Sequence, residues 1–226
     1  MKHTENSQEV FSQPVADPET FEGPRHKATV LSLADAALSI HRRDKLIAEG
    51  LIDQKTGLKN RKAFEFDIKD RLKTAQSGEF SIVFLDMDRL KRVNDTVSWD
   101  AGDKYKEVTG KAVGGTFEEM VRPYDEVYMF DGDECIVVLD HRFDEGETDF
   151  EAITERVQND VEHAISTVPE LQGVEGLGVS AGWVTFETGD TVQGMLDKAH
   201  DMVLEQKDIR YAANGGQAER IADSRL

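Results

Sequence analysis

The chain has one cysteine, five prolines and few bases, 27 Lys and Arg against 45 Asp and Glu in 226 residues. A single cysteine, Cys135, excludes an internal disulfide framework and a CxxC zinc motif, and a reducing, intracellular setting follows. The formal charge of -18 disfavours nucleic acid and anionic membrane as non-specific partners, because those contacts depend on Lys and Arg neutralising phosphates. A polyanionic ligand would need a local basic pocket or metal ions. The acid surplus fits a salt-adapted proteome or an acidic mesophile equally. No apolar run approaches the roughly eighteen residues of a membrane span, and the N-terminus lacks the apolar core of a signal peptide, so a cytoplasmic protein with no membrane partner is expected. The six histidines show neither HExxH nor an i, i+4 pair, which makes surface or satisfied core positions the better account of each.

What is present describes a globular chain, with 38% hydrophobic and 32% charged residues and enough length for one domain plus an appendage. Residues 1–26 carry three prolines and little periodic apolar content, the composition of a flexible arm. Over 27–52, Leu31, Ala34, Leu38, Leu46 and Ile47 predict an amphipathic helix, either a stalk for dimerisation or a helix packed on its own domain. A turn at Thr56-Gly57 precedes a helix whose apolar face is read as Phe64, Phe66, Ile68 and Leu72. Residues 80–85 form a continuous apolar run, the mark of a strand buried on both faces. It stops at Asp86-Met87-Asp88, after which helices are predicted through Leu90 and Val93 and from about Asp100 through Val113.

Residues 125–139, "DEVYMFDGDECIVVL", are two apolar runs around an Asp-Gly pair, a strong hairpin signal. A helix over 149–167, a strand over 177–186 and a helix over 191–207 follow. Helices alternate with strands around a central hairpin, which predicts an α/β (α+β) domain with one sheet of four or five strands flanked by helices. The hairpin tip carries Asp131, Asp133 and Glu134. Acids are ordinary at a solvated turn. A second cluster, Asp86 and Asp88, ends the buried strand expected beside it. Magnesium takes one or two carboxylates and completes its shell with water and phosphate oxygens, so the two clusters suggest a metal holding a nucleoside triphosphate.

These residues resemble the GGDEF domain of diguanylate cyclases. The likeness runs colinearly from about Asp53 to Tyr211: "TGLKNR", then "DMDRLKRVND", Gly102-Asp103, the signature hairpin as "DGDEC", "SAGWV", and Lys207. The domain boundaries so implied are 53–212, with a C-terminal tail over 213–226. The resemblance implies a mixed sheet akin to the polymerase palm and nucleotide cyclases, and condensation of two GTP into cyclic di-GMP by a homodimer. It implies Mg2+ or Mn2+ at Asp86, the Met87 carbonyl, Asp133 and Glu134, with Asp133, Glu134 and Lys91 catalytic. Asn94 and Asp103 would read guanine, and Lys91 and Lys207 would contact phosphates. Arg122 and Asp125, the R-x-x-D ahead of the hairpin, would bind cyclic di-GMP as an inhibitory product site; a salt-bridged turn is the alternative there.

The chain departs from the family pattern at named places. Asp131 replaces the first signature glycine and Cys135 its phenylalanine; Ser98-Trp99 stands for Gly-His, and Met129 for a basic residue. Tyr211 falls where a phosphate-binding arginine is expected, with Arg210 one place early. These departures define the alternative function, a degenerate GGDEF module that binds GTP or cyclic di-GMP as a signalling domain without chemistry.

Overall fold

The computed structural model describes residues 33–120, 124–142 and 146–213. The expected arm over 1–26, residues 27–32 of the first helix and the tail beyond 213 lie outside these. The chain divides into two units, 1–42 and 43–226. Helix α1, Leu33–Ala48, starts in the first. It stops at Gly50, whose φ of 66 is the left-handed turn that glycine adopts without a Cβ clash. The stripe Leu31, Ala34, Leu38 is not among the residues whose side chains are described.

The second unit is built on a five-stranded sheet of order β1-β3-β4-β2-β5. The strands are β1 (Lys59–Asn60), β2 (Phe80–Met87), β3 (Glu126–Asp131), β4 (Glu134–Asp140) and β5 (Val179–Thr185). β1 runs parallel to β3 and every other pairing is antiparallel, so the sheet is mixed. Between them run α2 (Arg61–Leu72), α3 (Leu90–Thr96), α4 (Trp99–Glu119) and α5 (Phe150–Ser166), and α6 (Val192–Ala213) follows β5.

Side chains alternate along a strand, and here both faces are buried. Val83, Leu85 and Met87 of β2, with Cys135, Val137 and Leu139 of β4, pack towards α4 and α5. Phe80, Ile82 and Phe84, with Ile136 and Val138, pack towards α2 and α6. The strand runs two residues past the expected end at 85, because Asp86 still pairs with both neighbours and Met87 with β5.

Caps set the helix starts. Asn60 accepts from the Ala63 N–H at 3.1 Å, and Ser98 accepts from the Ala101 N–H at 3.0 Å. Ser98 therefore has a structural job where the family pattern differs. Phe66 is no part of the apolar face of α2: it is 59% exposed, while Phe64 and Ile68, one turn apart, are buried. α4 continues past the expected end at Val113 to Glu119. Gly110 and Gly114 do not break it; a Cβ at either would press on Thr56 or Leu58, so these glycines let the "TGL" loop lie against the helix. Gly182 does the same for α6, since a Cβ there would overlap the Ala199 carbonyl oxygen. That close approach brings α6 over the end of β2.

Candidate active site

Asp86 and Glu134 are register partners across β2 and β4, both facing the α6 side of the sheet at the end of its buried stretch. Asp133 occupies the two-residue turn ahead of Glu134, and its carbonyl accepts the Met87 N–H at 3.0 Å. The sheet thus gathers Asp86, Met87, Asp133 and Glu134 at one spot. Lys207 of α6 reaches the same spot and ion-pairs with Asp86 Oδ1. Lys207, expected at a phosphate, is in this structure the counter-ion of a carboxylate.

Crowding shows in the acid strengths. Burial raises Glu134, and the neighbouring Asp86, Asp133 and Asp131 charges raise it further, to about 7. Asp86 is also raised, by burial first, with Lys207 working against the shift. A divalent cation would relieve this repulsion, and three carboxylates are the hard oxygen donors that Mg2+ or Mn2+ takes. The residues present therefore fit such an ion.

Asp88 does not join them. It is 1% exposed, accepts from Ser180 Oγ at 2.8 Å, and lies 3.2 Å from Arg210 Nη1. Beside it the Tyr105 hydroxyl lies 3.0 Å from the Asp88 carbonyl and 2.6 Å from that of Gly178, and accepts the Gly178 N–H at 2.9 Å. This knot fixes the ends of β2 and β5. Arg210 belongs to it, donating to the Val179 carbonyl at 2.6 Å and to Glu162 at 2.9 Å, so it does not stand in for an arginine at Tyr211.

Arg89 follows with φ 61, a left-handed turn that starts α3. α3 then carries Lys91, which is exposed, and Asn94, which is half-buried. Asn94 lies against Gly102 of α4, where a Cβ would overlap Asn94 Oδ1. Asp103 follows directly, held by Lys55 at 2.5 Å and depressed by that hydrogen bond. Asn94 and Asp103 are thus brought together by the missing side chain at 102.

The signature departures have physical answers. The Asp131 carboxylate turns to its own loop, accepting the Gly132 N–H at 2.7 Å, and faces Arg61 at 3.6 Å. Arg61 also covers the Phe130 ring, 4.6 Å from its centroid. Cys135 and Met129 are register partners in contact, Sγ to Sδ 3.5 Å, in the core towards α4. Burial pushes the Cys135 thiol up to about 12, so it stays neutral packing material.

At the proposed product site Arg122 lies outside the described residues. Asp125 Oδ1 accepts the Asp140 N–H at 2.9 Å, beside the ion pairs of Asp140 with Arg71 and Arg142.

Sequence reasoning missed Arg61, Lys106, Tyr105 and His200. Lys106 Nζ stands 3.9 Å from Asp103 Oδ1 and would lie 3.9 Å from a Cβ at Gly132, between Asp103 and the signature turn. Spacing alone gave no sign of these, although Arg61 lies inside the quoted "TGLKNR".

The fold is that of the GGDEF domain. Residues 50–211 match the family model for the diguanylate cyclase GGDEF domain, and the chain belongs to that family. It is 25% identical over 192 residues to the diguanylate cyclase VdcA of Vibrio cholerae, covering 82% of this chain and 54% of that protein. It is 26% identical to the diguanylate cyclase DgcP of Pseudomonas aeruginosa, covering 70% of this chain and 23% of that one. This chain thus spans about half of VdcA and less of DgcP. Among solved structures, the diguanylate cyclase SiaD of Pseudomonas aeruginosa, in complex with its activator SiaC, superposes with a TM-score of 0.59 at 23% identity, covering 78% of this chain and 66% of that one. The coiled coil and GGDEF domain of DgcB from Caulobacter crescentus, in complex with c-di-GMP, gives 0.55 at 18% identity, covering 82% and 94%. Among the described residues no helix is long and apolar enough to cross a membrane.

Proposed function

We propose that this protein is an active diguanylate cyclase that joins two GTP molecules into cyclic di-GMP. The observation that carries the reading is the register pairing of Asp86 with Glu134 beside Asp133, with Lys207 ion-paired to Asp86. In each of two steps a ribose 3′-oxygen attacks the α-phosphorus of the other GTP, a P–O bond forms, pyrophosphate leaves and the hydroxyl proton is released. Bound Mg2+ or Mn2+, held by Asp86, Asp133, Glu134 and the Met87 carbonyl, would supply charge neutralisation at the phosphates and lower the pKa of the attacking hydroxyl.

The chain's own groups do the rest. Asn94 and Asp103 orient guanine, whose N1 and N2 donors match a carboxylate; adenine offers no such donors and would leave Asp103 unpaired. Lys55 holds Asp103 in place until the base arrives. Lys207, paired with Asp86 in this structure, would meet a phosphate where a bound cation neutralised the carboxylates. Lys91, exposed on α3, meets the phosphates from solvent. Asp131 does not repel the triphosphate at full strength, because Arg61 and the Gly132 N–H engage its carboxylate. This favours a working enzyme over the degenerate module.

The product is two-fold symmetric and each chain supplies one such site, so two copies face one another as a homodimer during turnover. Arg122 and Asp125 form the product site proposed for feedback inhibition. The test is incubation with GTP, or with ATP, and Mg2+, followed by chromatographic separation of nucleotides. Cyclic di-GMP from GTP and no product from ATP is the expected result; GTP returned unchanged overturns the reading.

A further inference from the structure

The histidine that spacing gave no reason to single out lies at the carboxylates. His200 sits on α6, whose backbone comes close to β5 because residue 182 has no side chain. Its ring rests edge-on against Phe84 of β2, centroids 5.5 Å apart at 63°. One ligand atom each from Asp86, Glu134 and His200 lie within 4.8 Å of one another. Ligand atoms around a bound transition ion stand roughly 3 to 4 Å apart, given bond lengths of about 2.0 to 2.2 Å, so small rotamer changes close the site. Among the described residues no hydrogen bond claims the ring nitrogens of His200. Lys207 bonds Oδ1 of Asp86.

We infer that His200 is a ligand in a mixed nitrogen and oxygen metal site with Asp86 and Glu134, selective for a borderline transition ion over Mg2+. It rests on the proposed function only in taking Asp86 and Glu134 as ion-binding, not on GTP turnover. Mg2+ favours oxygen donors and gains little from imidazole, whereas Mn2+, Co2+ and Zn2+ bind imidazole with rising affinity along that series. The site therefore ranks Zn2+ and Co2+ above Mn2+, and Mn2+ above Mg2+. Since the carboxylates are those of the catalytic centre, Zn2+ there would compete with the working ion.

The test is calorimetric titration of the full chain, free of nucleotide, with Zn2+, Co2+, Mn2+ and Mg2+, together with the visible absorption of the Co2+ form. Removing a ligand typically costs tenfold or more in affinity. His200→Ala is expected to weaken Co2+ and Zn2+ at least tenfold, change Mg2+ less than twofold and alter the Co2+ absorption bands; His200→Gln repeats the measurement if the alanine variant does not fold. Asp86→Asn is expected to weaken every ion. Unchanged Co2+ affinity and spectrum in the folded histidine variant overturns the inference, as does equal affinity of the parent protein for Co2+ and Mg2+. Neither result bears on whether GTP is converted, and failure to convert GTP leaves the Co2+ measurement intact.

Discussion

Asn94 on α3 and Gly102 on α4 share one space, because a Cβ at 102 would overlap Asn94 Oδ1. An exposed helical glycine replaced by alanine ordinarily gains about 1 kcal/mol. Here Gly102→Ala pushes Asn94 off the position proposed for reading guanine instead. The expected outcome is GTP affinity reduced about tenfold or more, a loss of order 1.4 kcal/mol, with ATP binding unchanged. Titration of both nucleotides checks it, and unchanged GTP affinity would remove Asn94 from base recognition.

Glu134 gives the metal-free protein a pH dependence of defined sign. Its folded pKa, about 7, is raised above the ordinary 4.5, so between these values the folded chain holds a proton that the unfolded chain has lost. Stability from this group is full below 4.5 and declines as pH rises to about 7. Glu134→Gln flattens that decline and raises the melting temperature of the metal-free protein at pH 8. A cation competes with the same proton, so Mn2+ affinity rises by up to about tenfold per pH unit below 7 and levels above it. Melting curves and Mn2+ titrations between pH 5 and 8 read both effects.

Tyr105 ties Asp88 to Gly178, and removing its hydroxyl leaves the buried Gly178 N–H without this acceptor. Tyr105→Phe is expected to destabilise by about 1 to 3 kcal/mol. Thermal unfolding measures that loss, and the ends of β2 and β5 should show faster amide exchange than β4. A shift under 0.5 kcal/mol would mean that the knot is not what fixes the Asp86 end of the sheet.

Asp131→Gly removes a charge beside the expected triphosphate and frees Arg61. The Asp131 side chain is 66% exposed, and at a dielectric near that of water a charge about 4 Å away contributes on the order of 1 kcal/mol. KM for GTP is therefore expected to fall about threefold to fivefold, with kcat little changed. Steady-state kinetics decides, and a rise in KM would show that Asp131 assists binding.

Much of this was legible in the sequence, for physical reasons. Strands buried on both faces and a hairpin around Asp-Gly leave strong local patterns, so β2, β3 and β4 were readable and with them the meeting of Asp86, Asp133 and Glu134. Helix ends were readable only to within a few residues: α4 outran Val113 because its glycines are used for packing by Thr56 and Leu58. Phe66 was misplaced because residues two apart on a helix point away from one another. What no local pattern could give was partnership across the chain. Asp88 looked like a ligand but is spent on Ser180 and Arg210; the pairing of Lys207 with Asp86 left no local trace; His200 and Lys106 looked like nothing. These pairings depend on α6 packing against β2 and β5 and on α4 lying beside the hairpin, which the fold sets.

In the proposed reaction two copies of this site carry out the condensation together. The most direct measurement is the initial rate of cyclic di-GMP and pyrophosphate formation from GTP and Mg2+ over a hundredfold range of protein concentration, for the parent chain and for Asp133→Ala. Two pyrophosphates per cyclic di-GMP, a specific activity that rises with concentration until the dimer saturates, and no product from Asp133→Ala are the expected results. Absence of product at the highest concentration while GTP still binds would contradict the account and make the protein a GTP-binding signalling module.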